Sequence, residues 1–126
     1  MLPAIDPKSG VPLYIQLQEE IKALIVKGAY PPGEQLPTVR QLAVDLRINS
    51  NTVARAYSEL EREGIISTHQ GRGTFVCGLP EIVKSEVKEQ QLDGLLERLL
   101  ADAYVLGYQA QEVLSRLEQK IKRISE

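Results

Sequence analysis

A chain of 126 residues, 43% apolar and 25% charged, is long enough for one domain with a real core and a small appendage. It has no apolar run long enough to span a membrane and no basic-then-apolar leader at its start, so a cytoplasmic protein without a membrane partner is expected. The single cysteine, Cys77, excludes an intrachain disulfide and a multi-cysteine metal site and is expected to be a small buried hydrophobe.

The formal charge of −2 does not advertise a nucleic-acid binder, but placement matters more than the total. Residues 1–77 carry eight basic and eight acidic side chains, and the acidic excess lies wholly in 78–126. Between Leu46 and Ser58 there are Arg47 and Arg55 and no acid, and between Ile65 and Pro80 there is Arg72 and no acid. Those two segments are where a phosphate backbone could lie.

In chain order, residues 1–11 read as an irregular lead-in punctuated by Pro3, Pro7 and Gly10. Pro12 suits the first turn of a helix, and Leu13, Leu17, Ile21, Leu24 and Ile25 then recur at helical spacing until Gly28. Tyr30-Pro31-Pro32-Gly33 is a turn by its chemistry, with glycine available for the positive φ of a type II turn. Thr38 and Gln41 make a capping box, and Val39, Leu42, Ala43 and Leu46 give a second helix that ends before an Arg47-Ile48 turn.

A third helix starts at Asn49 or Ser50. Val53, Ala56, Tyr57 and Leu60 fall on one side of it, which makes Tyr57 a core residue. Asn51, Arg55, Ser58 and Arg62 fall on the other, with Thr52 and Ala54 at the margins. Gly64 is the expected left-handed cap, with Ile65 packing back on Leu60. Ile65–Thr68 and Thr74–Cys77, separated by His69-Gln70-Gly71-Arg72-Gly73, form a β-hairpin signal.

Gly78 and Pro80 mark a boundary. Beyond it Leu92, Leu95, Leu96, Leu99, Leu100 and Ala103 form one apolar stripe, with Val83 and Val87 some turns earlier. Gly107 interrupts, Gln109 is a weak cap, and Ala110, Val113, Leu114, Leu117, Ile121 and Ile124 form a second stripe. Two amphipathic helices cannot cover both stripes with each other alone, so they must pack on the front domain, on another subunit, or on both; Leu92, Leu95, Leu96, Leu99, Leu100, Ala103, Val113, Leu114, Leu117 and Ile121 are the residues expected to meet a second copy.

The order helix, helix, turn, helix, hairpin is that of a winged helix-turn-helix, in which the last helix enters the major groove and its first turns meet base edges. Ser50, Asn51, Thr52 and Arg55 are short or flexible enough for that groove: Asn can bond adenine in two places and Arg guanine in two. Arg40 is placed to meet phosphate, and the hairpin tip, with Arg72 between glycines, suits a narrow minor groove. Taken singly, each of these features also reads as an ordinary solvated surface or turn. The combination carries the argument. The near-neutral front half leaves a second reading open, a winged-helix module that binds protein and not DNA. An enzyme is the weakest reading: a lone His69, a lone Cys77 and no clustered carboxylates provide no catalytic site, no metal site and no cofactor site.

Residues 12–77 closely resemble the DNA-binding domain of the GntR family of bacterial transcriptional regulators. The matching residues are Pro12-Leu13-Tyr14 with Gln16, Pro32-Gly33, Leu36-Pro37, Arg40 with Leu42-Ala43, Asn49 with Asn51-Thr52-Val53, Arg55-Ala56-Tyr57, Leu60-Glu61, Gly64-Ile65, and Gly71 with Gly73-Thr74-Phe75-Val76. The short tail, with Ala103, Leu106-Gly107-Tyr108 and a last helix, resembles the YtrA subfamily, whose members are commonly repressors, often of transporter operons. The resemblance implies a mainly α protein with a small β-hairpin: a winged helix-turn-helix domain over residues 1–78 and a two-helix dimerisation unit over 79–126. It also implies a homodimer that binds a pseudo-palindromic double-stranded operator, with contacts at Arg40, at Asn49, Ser50, Asn51 and Thr52, and at Gln70, Gly71, Arg72 and Gly73. One departure stands out: many members carry Arg where this chain has Ala54, and here the Arg follows at position 55.

Overall fold

The computed structural model describes residues 2–125. Its elements are α1 (Leu13–Val26), β1 (Gln35–Leu36), α2 (Val39–Leu46), α3 (Ser50–Arg62), β2 (Ile66–His69), β3 (Gly73–Val76), α4 (Glu81–Val105) and α5 (Ala110–Ser125). The chain forms two compact units, one through residue 88 and one from residue 89.

In the first unit α3 packs against both α1 and α2. The core comprises Leu17, Ile21 and Leu24 of α1, Leu42 and Ala43 of α2, Val53, Ala56, Tyr57 and Leu60 of α3, and Tyr30, Leu36, Ile65, Ile66 and Val76 from the turns and strands. The four α3 residues are the set expected from helical spacing. Pro12 stands one residue before α1, and its carbonyl accepts the amides of Ile15 and Gln16.

The lead-in is irregular but pinned. The Gln16 carboxamide accepts from the Asp6 amide at 2.7 Å and donates to the carbonyls of Asp6 (2.9 Å) and Val11 (2.7 Å) and to the Ser9 hydroxyl (2.8 Å). One side chain thus satisfies several backbone groups that no helix or strand would satisfy.

The turn after α1 is closed by the Glu34 amide donating to the Pro31 carbonyl, with Gly33 at φ 88°. The Gly33 amide donates to the Val76 carbonyl at 2.8 Å, and the Val76 amide donates to the Glu34 carbonyl at 2.9 Å. That docking produces a strand absent from the sequence reading. Residues Gln35 and Leu36 pair with Phe75 and Thr74, so the hairpin becomes a three-stranded antiparallel sheet in the order β1-β3-β2. A two-residue strand has no periodicity to read; only the partner's backbone makes it one.

Thr38 caps α2 as its spacing predicts. Its hydroxyl accepts from the Gln41 amide at 3.0 Å, and the Gln41 side chain accepts from the Thr38 amide at 3.3 Å. Arg47 ends the helix at φ 57°, a left-handed conformation otherwise adopted only by glycines among the described residues. The Ile48 amide then returns to the Ala43 carbonyl, and the Ile48 side chain packs on the core. Asn49 caps α3 with its side-chain oxygen on the Asn51 amide at 2.8 Å.

Gly64, at φ 78°, closes α3, and the Ile65 amide bonds back to the Leu60 carbonyl. Cys77 corrects an expectation. It is exposed: it follows the last residue of β3, the buried Val76, and its amide donates to the Ile65 carbonyl at 2.8 Å.

In the second unit, Gly107 at φ 95° ends α4, with the Tyr108 amide returning to the Ala103 carbonyl. Gln109 precedes α5, and the Glu112 carboxylate accepts from the Gln109 amide at 3.0 Å, one half of a capping box. Among the described residues α5 buries none of its side chains, and Leu92, Leu95, Leu114 and Ile121 are all exposed.

Removing the reciprocal cap by Thr38→Ala should lower stability by about 1 kcal/mol. Urea unfolding followed by circular dichroism measures it; an unchanged midpoint would show that the cap does not hold α2 in place.

Candidate nucleic-acid interface

The seating of α3 begins with what it buries. Val53, Ala56 and Leu60 are fully buried, and the Tyr57 hydroxyl donates to the Pro37 carbonyl at 2.8 Å. That bond ties α3 to the residue preceding the α2 cap, so the two helices of the motif share a fixed angle. The opposite face is bare: Ser50, Asn51, Ala54, Arg55 and Ser58 are exposed, and Thr52 is half-buried.

The structure brings Asn51, Thr52 and Arg55 together with Leu13 and Tyr14 of α1 around one shallow depression of about 370 Å³. Arg40 stands exposed in the first turn of α2. Asn49 keeps its place at the start of α3, but its side-chain oxygen is committed to the cap, which leaves its amide nitrogen to face a ligand.

The hairpin tip holds Gln70, Gly71 and Arg72 exposed and Gly73 half-buried. Two features set its shape. Gly71 adopts φ 79°, and the Arg72 amide closes the loop onto the His69 carbonyl at 2.9 Å. Gly73 adopts φ 124°, and a Cβ there would fall on the Gln35 carboxamide, which donates to the Arg72 carbonyl at 3.0 Å. The strands are further tied by the Thr68 and Thr74 hydroxyls at 3.1 Å, and the Thr68 amide donates to the Glu61 carboxylate of α3 at 3.0 Å. The wing is therefore fastened to the same helix whose outer face is bare.

His69 is exposed on the wing. Its ring lies 5.8 Å from that of Phe75, and its Nε2 is 3.1 Å from the Ser67 hydroxyl. Among the described residues no group of three or more His, Cys, Asp or Glu side chains is arranged to hold a metal ion, and no helix is long and apolar enough to cross a membrane.

Sequence reasoning assigned no role to Tyr14, Gln16 or Gln35. Tyr14 flanks the apolar stripe of α1, and its ring packs partly on the core while the Arg55 guanidinium lies over it, 3.8 Å from the ring centroid. An aromatic at the edge of a stripe, beside a basic residue on another element, is the signal that could have marked it. Gln16 ties down backbone and a hydroxyl of the irregular lead-in, which has no periodicity to read, and the partner of Gln35 is a backbone carbonyl far along the chain.

Burial raises the pKa of both core phenols. For Tyr57 desolvation is the main cause and Tyr30 adds to it; for Tyr30 desolvation leads and Glu34 adds to it. A folded-state value above the unfolded one means stability is complete below the ordinary phenol value of 10.0 and falls as pH rises beyond it, since only the unfolded chain ionises readily there. Urea midpoints measured up through that value should decline on the alkaline side, and less steeply for Tyr57→Phe. A flat profile would mean the phenols are not desolvated.

The comparisons with known proteins bear on this geometry. Residues 13–76 match the model of the bacterial regulatory proteins of the gntR family. The chain is 42% identical over 121 residues to the HTH-type transcriptional repressor YtrA of Bacillus subtilis (strain 168), covering 96% of this chain and 90% of that protein. Among solved structures, YtrA from Sulfolobus acidocaldarius, described as a GntR-family transcription factor, matches with TM-score 0.58 and 35% identity over 80% of this chain and 99% of that one. The DNA-binding domain of AraR in complex with operator ORX1 matches with TM-score 0.53 and 30% identity, over 61% of this chain and 95% of that one.

Proposed function

Because the chain belongs to the GntR family of bacterial regulatory proteins, and to its YtrA-like branch, we propose that it is a homodimeric repressor that reads a pseudo-palindromic operator. The observation that carries this reading is the bare face of α3. Asn51, Arg55 and Ser58 are exposed there with no acid between Leu46 and Ser58, on a helix whose other face is locked into the core.

In this reading the first turns of α3 enter the major groove. Asn51 and Arg55 contact base edges, and Arg40, Ser50, Thr52 and the Asn49 amide hold the flanking backbone. The wing tip at Gln70–Gly73 reaches the adjacent minor groove, where Arg72 meets a strongly negative potential. The related AraR domain binds its operator, and the related Bacillus protein is named a repressor, which supports both the ligand and the sign of regulation.

In vitro selection from a random duplex pool tests the reading directly. Enrichment of a two-fold symmetric site with half-sites about 34–36 Å apart is expected. Arg55→Ala should cost roughly 1–3 kcal/mol and relax preference at one base pair per half-site. Arg40→Ala should weaken all sequences alike and reduce the salt slope by about one. Retention of no duplex at low salt would favour the protein-interaction module instead.

The tail supplies the second copy. Leu96, Leu99, Leu100, Leu114 and Leu117 expose about two-fifths of their surface each, and Leu92, Leu95 and Ile121 more, while Ala103 and Val113 are half-buried. So much contiguous apolar surface on one helix pair is the mark of an interface. Leu99→Glu combined with Leu117→Glu should convert a dimer to a monomer in sedimentation velocity and abolish the preference for the full palindrome. A dimer that survives both changes would move the interface to the first unit.

A further inference from the structure

Arg55 is exposed, but its guanidinium does not hang free. It lies on the face of the Tyr14 ring, with the central carbon 3.8 Å from the ring centroid. Tyr14 is half-buried and packs against the core, so the ring is a fixed platform contributed by α1 and not by the helix-turn-helix itself. A guanidinium is planar, and its five N–H donors point outward in that plane. Stacking occupies the face and leaves the edge. Among the described residues Arg55 makes no hydrogen bond and no ion pair, so that edge is uncommitted. Asn51 and Thr52 line the same depression, which puts the stacked cation beside the first turn of α3.

We propose that Tyr14 is a positioning residue for base readout: its ring holds the Arg55 guanidinium with the donor edge outward, ready for the two acceptors of a guanine. The inference rests on the DNA-reading function proposed above and adds a residue outside the helix-turn-helix. A long side chain already held in its binding geometry loses less freedom on contact, and a planar cation held at one tilt discriminates more sharply between base pairs. The platform also gives the Ala54–Arg55 step a physical sense. With alanine at 54, the cation of this turn sits at the position from which the structure shows it reaching α1.

The full chain tests this on the selected operator and on a copy altered at the base pair where Arg55→Ala loses preference. Tyr14→Leu should lose roughly three- to tenfold of the discrimination between the two duplexes, while affinity for unrelated DNA and the salt slope stay as in the parent. Tyr14→Phe, which keeps the ring, should retain the discrimination. In an Arg55→Ala background, Tyr14→Leu should change discrimination no further, because the two residues act through one contact. If thermal melting shows that Tyr14→Leu does not fold, Tyr14→Met carries the same comparison. Full discrimination in the ringless variant, or a loss that persists without Arg55, overturns the inference and leaves the repressor reading standing. A parent chain that distinguishes no sequence overturns both.

Discussion

Everything on the binding side depends on how α3 is seated. A helix can offer a bare polar face only if its other face is held firmly enough to resist rotation. Val53, Ala56, Tyr57 and Leu60 provide that hold by burial between α1 and α2, and burial of this kind is the largest favourable contribution available to a small domain. Burial is non-directional, however. Direction comes from the Tyr57 hydroxyl on the Pro37 carbonyl, from the Asn49 cap and from the left-handed Arg47, which together set where α3 begins and how it leaves α2.

Around that seat the fold spends its polar side chains on backbone. Gln16 ties down the lead-in, Gln35 holds the wing loop, Glu61 reaches the Thr68 amide, and Thr38 with Gln41 closes the start of α2. None of these side chains is deeply buried, and each replaces a partner that irregular backbone would otherwise lack. The consequence is that the wing, a short sheet with one two-residue strand, keeps a defined position relative to α3. The bare face of α3 and the wing tip then form the one surface to which the proposed duplex contacts are assigned.

The second unit follows a different logic. Its two helices leave leucines and isoleucines facing outward, and their ends are finished with local devices, Gly107 at one and Glu112 at the other. Those uncovered faces are the basis of the second copy proposed above. In the homodimer proposed above, such a unit would join two reading heads and double the length of sequence read.

The elements that repeat a pattern were legible from residues alone. Val53, Ala56, Tyr57 and Leu60 at helical spacing specify both the existence of α3 and its buried side. Thr38 with Gln41 specifies the start of α2, and Gly64 and Gly107 mark helix ends, because caps and left-handed glycines act within a few residues of themselves. The bare face and its Asn51 and Arg55 follow as the complement of the buried one. What escaped is whatever depends on a partner distant in the chain. The strand Gln35–Leu36 exists only because β3 lies beside it, the exposure of Cys77 is set where the chain leaves β3, and the contact of Tyr14 with Arg55 joins residues on helices that only the packed core brings together. Local chemistry chooses elements and their faces; long-range packing chooses which elements meet, and here that meeting sets the posture of the side chain proposed to read the base.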